Sequence, residues 1–206
     1  MIVLLPAYFA PISHYWLLFK NQEVCFEIED NFQKQTYRNR AYIYGANGKL
    51  QLNIPIKHTK SDGRQKTKEV LIDNSFRWQK NHFKALQNAY RSSPYFEYYE
   101  DDLAPLYENE FSHLLEFNLK TTEFILDALQ EEVNISYTSH YELNLPAEID
   151  FRFLIEAKKE QSVDLIPYTQ LFDDKFGFLS NLSILDLLFM EGPNVLNYLE
   201  NQNLRF

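Results

Sequence analysis

Glycine is scarce in this chain, with five among 206 residues. That scarcity excludes the loops that cradle phosphate through bare backbone, and neither the G-x-x-x-x-G-K-[ST] pattern nor the G-x-G-x-x-G fingerprint occurs. Cysteine is scarcer still. Cys25, the single one, cannot close an intrachain disulfide. Its place inside Val24-Cys25-Phe26 reads as a small buried hydrophobe, in a chain suited to a reducing cytoplasm. No apolar stretch approaches the roughly 18 residues of a membrane span, and the apolar start Met1 to Leu5 lacks the basic lead of a secretory signal. The histidines, His14, His58, His82, His113 and His140, include no pair at helical spacing, so no metal site is expected. No G-x-S-x-G elbow offers a nucleophile of the hydrolase type.

What the chain has in quantity is aromatic and aliphatic surface to bury. Hydrophobic residues make up 45% and aromatics 16%, enough for one sizeable core, and a single domain over 1–206 is expected. The net charge of −9 is unevenly spread. From Lys34 to Arg91 there are 13 Lys/Arg against 3 Asp/Glu, which leaves 7 and 26 for the rest. An acidic protein is a poor non-specific nucleic-acid binder, whereas a local positive segment concentrates a small anion. Part of that charge, His58 to Lys68, reads equally well as a solvated loop.

Ile2 to Ala7 reads as a buried first strand, Ser13 as the cap of a helix running to about Asn21, and Glu23 to Asp30 as a second strand. This β-α-β opening implies a parallel pair. Arg40 to Tyr44 and Lys49 to Ile56 flank Ala46-Asn47-Gly48, a strong hairpin signal. Glu69 to Asp73 is expected as a strand and Asn74 or Ser75 as the cap of a helix ending near Ser92, before Pro94. On that helix Arg77, Lys80, Lys84 and Arg91 form a cationic stripe, and Phe76, Phe83, Leu86 and Tyr90 an apolar one. Glu108 to Glu131 reads as a long amphipathic helix with Asn118 as a polar break, Asn134 to Tyr141 as a strand, Ile149 to Lys158 as a helix and Asp164 to Leu171 as extended chain. Asn181-Leu-Ser183-Ile-Leu-Asp186 is a capping box opening a nearly all-apolar helix that Gly192 closes and Pro193 restarts. The expected class is therefore α/β: a mixed sheet with a β-α-β opening and a β-hairpin, followed by a helix-rich C-terminal half.

The densest chemistry lies in FQKQTYRNR, Phe32 to Arg40. Gln33, Lys34, Arg38, Asn39 and Arg40 supply many donors, the equipment for clamping a phosphate or carboxylate and fixing neighbouring polar groups. Strand alternation puts Lys34, Arg38 and Arg40 on one side. The structural alternative is an Arg/Asp network tying the hairpin to Asp30 or Asp73. His14, at the start of the first helix, is expected to emerge at the same sheet edge as this cluster and to converge with it on an anion; packed burial among aromatics is the competing reading. The turn around His14 distantly resembles the histidine signature of nucleotidyltransferases with the HIGH motif, but Tyr15 and Trp16 stand where that pattern continues.

Four segments together resemble the WbqC-like family of bacterial proteins: YFAPISHYWLL, FQKQTYRNR with NGKLQLNIPI, RWQKNHFKALQNAYRSSPYFEYY, and FGFLSNLSILDLLFMEGP. On this sequence the family pattern includes Pro11, His14, Lys34, Asn39, Arg40, His82, Tyr90, Phe178, Asn181 and Asp186, with Trp78 and Tyr95 in support. The resemblance implies a cytoplasmic role in O-antigen or other surface-polysaccharide biosynthesis, through acyl, aminoacyl or related group transfer. The expected partner is an activated anionic small molecule, such as a nucleotide sugar or acyl donor. His14 and His82 are the candidate acid-base residues, and no particular cofactor is indicated. A non-catalytic module that binds a glycan precursor or a protein partner through Tyr95, Tyr98 and Tyr99 is the alternative.

Overall fold

The computed structural model describes residues 1–57, 65–158 and 162–206. The first apolar run forms strand β1, Ile2–Leu4, buried throughout. After the turn containing Pro6 and Pro11 comes helix α1, Ile12–Lys20, then β2, Glu23–Phe26. β1 and β2 pair in parallel, Ile2 opposite Val24, as the β-α-β reading requires. β5, Asn134–Tyr137, joins the other side of β2, also in parallel, so β2 is the central strand of a β1-β2-β5 sheet. All three strands therefore end at one edge, beyond Leu4, Phe26 and Tyr137.

Strands β3, Arg40–Gly45, and β4, Gly48–Asn53, form the expected antiparallel hairpin. Gly48 takes a φ of +98°, a backbone region that disfavours other residues. Two long helices, α2 (Trp78–Tyr90) and α3 (Phe96–Glu108), pack together, and α4 (Leu114–Leu129) packs on α3. The C-terminal part holds the short α5 (Asp173–Phe176), then α6 (Ile184–Glu191) and α7 (Val195–Glu200). α6 is buried on nearly every side, against α1, α3 and β3, and seven of its eight residues are buried. Each of its large apolar side chains contributes roughly 1.5–3 kcal/mol by leaving water. Gly192 ends α6 at a φ of +52°, and a Cβ there would sit 2.6 Å from the Tyr95 ring. Two independent constraints thus require glycine.

Several expected elements come out differently. The strand expected over Glu69 to Asp73 is a 3-10 turn, Thr67–Glu69, followed by isolated bridges of Leu71 to His113 and Ile72 to Ile56. The helix expected from Ile149 shrinks to the 3-10 turn Arg152–Ile155, because the flanking backbone bonds to β1: Val3 N–H donates to Ile149 at 2.7 Å and Phe151 N–H to Val3 at 3.0 Å. The long helix expected from Glu108 starts only at Leu114, while α3 precedes it in a stretch whose crowded tyrosines and internal Pro105 hid the helical period. The first helix is capped from afar. Its Ser13 N–H donates to the Asn181 side chain at 2.9 Å, so Ser13 lies inside the helix and Pro11 stands at the cap position.

Candidate functional site

The segment from Phe32 to Arg40 does not run as a strand. Gln35 adopts a left-handed φ of +64°, which breaks alternation, and regular pairing begins only at Arg40. The three cations expected to share a side are therefore divided. Lys34 is exposed, Arg40 is half-buried and Arg38 is buried to 1% exposure. The backbone is held from below: Asn118, in the middle of α4, donates to the Arg38 carbonyl at 2.9 Å, and Tyr8 N–H donates to Tyr37 at 2.9 Å. The apparent polar break in α4 is thus the side chain that fastens the cationic segment to the turn after β1.

Arg38 pairs with Asp30 and donates to Thr36 at 3.3 Å, while Thr67 donates to the other Asp30 oxygen at 2.6 Å. Burial pulls the guanidinium below its ordinary pKa, and the Asp30 carboxylate opposes that pull. Of the two carboxylates proposed to anchor an arginine network, Asp30 fills that place. The remainder of the charged loop, from His58 to Arg64, lies outside the described residues.

Lys34, Asn39 and Arg40 line one groove of about 510 Å³, together with Gln35, Asn53, Asp73 and an apolar flank that includes Phe32 and Phe76. Phe76, placed by sequence on the apolar stripe of α2, precedes that helix and is 60% exposed. Neither Lys34 nor Arg40 forms an ion pair among the described residues, and the Arg40 Nε and Asn39 Oδ1 are buried without a hydrogen-bond partner. The Asn39 amide donates to the Ile54 carbonyl at 3.0 Å, which fixes its orientation. Gln33 points elsewhere, into a second hollow that it shares with Arg38.

The two imidazoles differ in position. His82 is 7% exposed, with Tyr8 O–H on its Nδ1 at 3.0 Å and the backbone carbonyl of Asn53, a groove residue, facing the ring. Burial lowers its pKa to about 4 against the opposing effect of that carbonyl. His14 is 4% exposed and packs against Tyr15 and Phe26, and burial alone lowers its pKa to about 4. It lines neither hollow, so the expected convergence of His14 with the cations is not seen. A tightly packed aromatic environment takes up its ring instead. Both imidazoles are neutral at neutral pH.

Asp186 also differs from expectation. Ser183 caps α6 by accepting from Leu185 N–H at 3.3 Å, but its own N–H donates to Tyr42, so no capping box forms. The Asp186 carboxylate, wholly buried, instead accepts from Tyr90 at 2.6 Å, Tyr168 at 2.5 Å and Gln170 at 2.9 Å. Burial raises its pKa while these three bonds oppose the rise. An acid three residues after a serine looks the same in sequence whether it turns back to the cap or into the core. The proposed tyrosine patch is not continuous either: Tyr98 is 72% exposed but Tyr99 only 2%. Among the described residues no helix is long and apolar enough to cross a membrane, and no cluster of three His, Cys, Asp or Glu is placed to hold a metal ion.

The profile of the WbqC-like protein family matches residues 6–161 of the chain. That span includes the groove, both of its cations and both candidate imidazoles. Among curated proteins, the uncharacterized protein Rv1507c of Mycobacterium tuberculosis is 29% identical, over 84% of this chain and 87% of its own length. No solved structure matches.

Proposed function

This chain belongs to the WbqC-like protein family, and on that footing we propose that it binds an activated anionic small molecule in the groove between Lys34, Asn39 and Arg40. The reading places it in bacterial surface-polysaccharide biosynthesis, in the cytoplasm, as an enzyme of acyl, aminoacyl or related group transfer. One observation supports it above the others. Two cations that form no ion pair among the described residues face a groove whose wall also carries an exposed aromatic ring, Phe76. A phosphate or carboxylate bonds to Arg40 and Lys34 there, while an apolar or heteroaromatic portion lies on Phe76. Asn39, locked by the Ile54 carbonyl at 3.0 Å, holds the groove wall in place beside Arg40.

In this reading His82 is the proton-handling group, since its ring faces the carbonyl of Asn53 at the groove wall. No step is assigned to His14. The second reading, a module that binds a glycan precursor or a partner without chemistry, is favoured by the burial of both imidazoles. Turnover separates the two. Thermal unfolding in the presence of nucleotide sugars and acyl-coenzyme A compounds tests the shared premise. A true ligand at 100 times its dissociation constant stabilises the fold by about 2.7 kcal/mol, and a panel without any stabilising compound contradicts both readings.

A further inference from the structure

The second hollow, about 230 Å³, lies where the three parallel strands end. Leu5 follows β1, Asp30 lies beyond β2 and Tyr141 beyond β5, and all three line it. Open parallel sheets place their ligands at this edge. The rest of the wall is built from Gln33, Arg38, Asp150, Arg152, Phe153 and Glu156.

Its charges are already balanced in pairs. Arg38 is matched by Asp30, and Arg152 donates to both Asp150 oxygens, at 2.8 and 2.7 Å. Glu156 forms no ion pair among the described residues, which leaves the wall slightly negative. This hollow is therefore unsuited to the anion that fits the other groove. It offers spare acceptor sites on paired carboxylates, since each ionised carboxylate has about four lone-pair positions. Arg38, 1% exposed, also keeps its Nε without a hydrogen-bond partner among the described residues, an unmet donor of the kind that a bound group or water normally satisfies. At the rim stand Tyr141, 40% exposed, and Phe153, 37% exposed. The Arg152 guanidinium holds the Tyr141 ring at 5.4 Å.

We propose that this hollow binds a single neutral, hydroxyl-rich ring, one sugar unit. The Asp30 with Arg38 and Asp150 with Arg152 pairs take adjacent hydroxyls, and Tyr141 lies against the ring's C–H face. Carboxylate and guanidinium side by side accept from one hydroxyl and donate to its neighbour, a pairing that a vicinal diol satisfies and an anion does not. The volume is below the usual range for drug-sized ligands and suits one ring. The Gln33 to Gln35 stretch separates this hollow from the cationic groove, since Gln33 lines the first and Lys34 and Gln35 the second. The proposal does not depend on what the groove binds.

Two-dimensional amide NMR of the full chain tests it, titrated with the methyl glycosides of glucose, galactose, mannose and rhamnose, and with glucuronate. At least one neutral glycoside is expected to shift Gln33 and Tyr141 amides saturably, and glucuronate to bind more weakly than the matching glucoside. Tyr141→Ala, at an exposed position that leaves the fold intact, is expected to weaken that binding by about tenfold or more. Inorganic pyrophosphate, the probe for the groove, is expected not to displace the glycoside, so failure at one site is read separately from failure at the other. Absence of saturable shifts with every neutral glycoside overturns the proposal. So does glycoside binding that Tyr141→Ala leaves unchanged, or glucuronate binding as tightly as the glucoside.

Discussion

Tyr8 and His82 share a hydrogen bond of 3.0 Å across 74 positions of sequence, and the Tyr8 hydroxyl makes a second, of 2.7 Å, with Tyr107. All three side chains are buried, so this chain joins the turn after β1 to α2 and α3 directly beside the groove residue Asn53. Tyr8→Phe leaves His82 Nδ1 and the Tyr107 hydroxyl without that partner, and an expected loss of about 1–3 kcal/mol follows. Tyr107→Phe keeps the bond to His82 and is expected to lose less. Urea unfolding of both variants, at unchanged slope, measures the difference.

Stability is expected to fall as pH drops from about 6.5 to about 4. Both buried histidines have folded-state pKa values of about 4, below the unfolded value of roughly 6.5. In that interval the unfolded chain binds more protons, so acid favours unfolding, while the stabilisation is fully present above pH 6.5. The effect is on the order of 3 kcal/mol per histidine. Chemical denaturation at pH 7.5, 5.5 and 4.5 reads it, and His14→Phe, an aromatic replacement in an aromatic environment, is expected to reduce the slope.

Asp186→Ala distinguishes a cap from a core acceptor. Loss of a capping side chain costs about 1 kcal/mol. Removing the acceptor leaves the buried Tyr90 and Tyr168 hydroxyls without it, while Gln170 keeps its bond to the Leu179 carbonyl at 3.0 Å, and at least about 2 kcal/mol is expected. Asp186→Asn, which keeps one acceptor oxygen, is expected to fall between these figures. Thermal unfolding of the two variants decides the matter.

Arg38→Ala exposes the structural side of the cationic segment. It strands Asp30 in the interior, and breaking a buried pair in this way costs about 3–5 kcal/mol. Arg40→Ala breaks no ion pair among the described residues and is expected to leave unfolding nearly unchanged. Parallel denaturation of the two variants therefore separates the arginine that holds the fold from the one that faces the groove.

These contrasts show what the amino-acid pattern makes legible. Local periodicity was enough for the parallel β1 and β2, the Asn47-Gly48 hairpin, α2 and α6, because each is decided by residues within a few positions of one another. The site needed more than that. Lys34 and Arg40 do share a groove, but the sequence placed Arg38 with them because the left-handed turn at Gln35 carries no glycine to announce it. His14 looked like a helix-start ligand, and only the arrival of Phe26 and Tyr15 around it makes it a packed ring. Asp186 and Asn118 resembled a cap and an interruption, since their partners lie as far off as Tyr90 and the Arg38 carbonyl. Pairings over such separations leave no periodic trace.

The central claim is that Arg40 and Lys34 hold an anionic ligand, and calorimetric titration with UDP-glucose and acetyl-coenzyme A tests it most directly. The expected result is saturable binding of at least one of them, weakening as salt rises and falling about tenfold or more in Arg40→Ala while that variant remains folded. Binding that persists undiminished in both Arg40→Ala and Lys34→Ala, or no binding of either compound to the native chain at low salt, contradicts it.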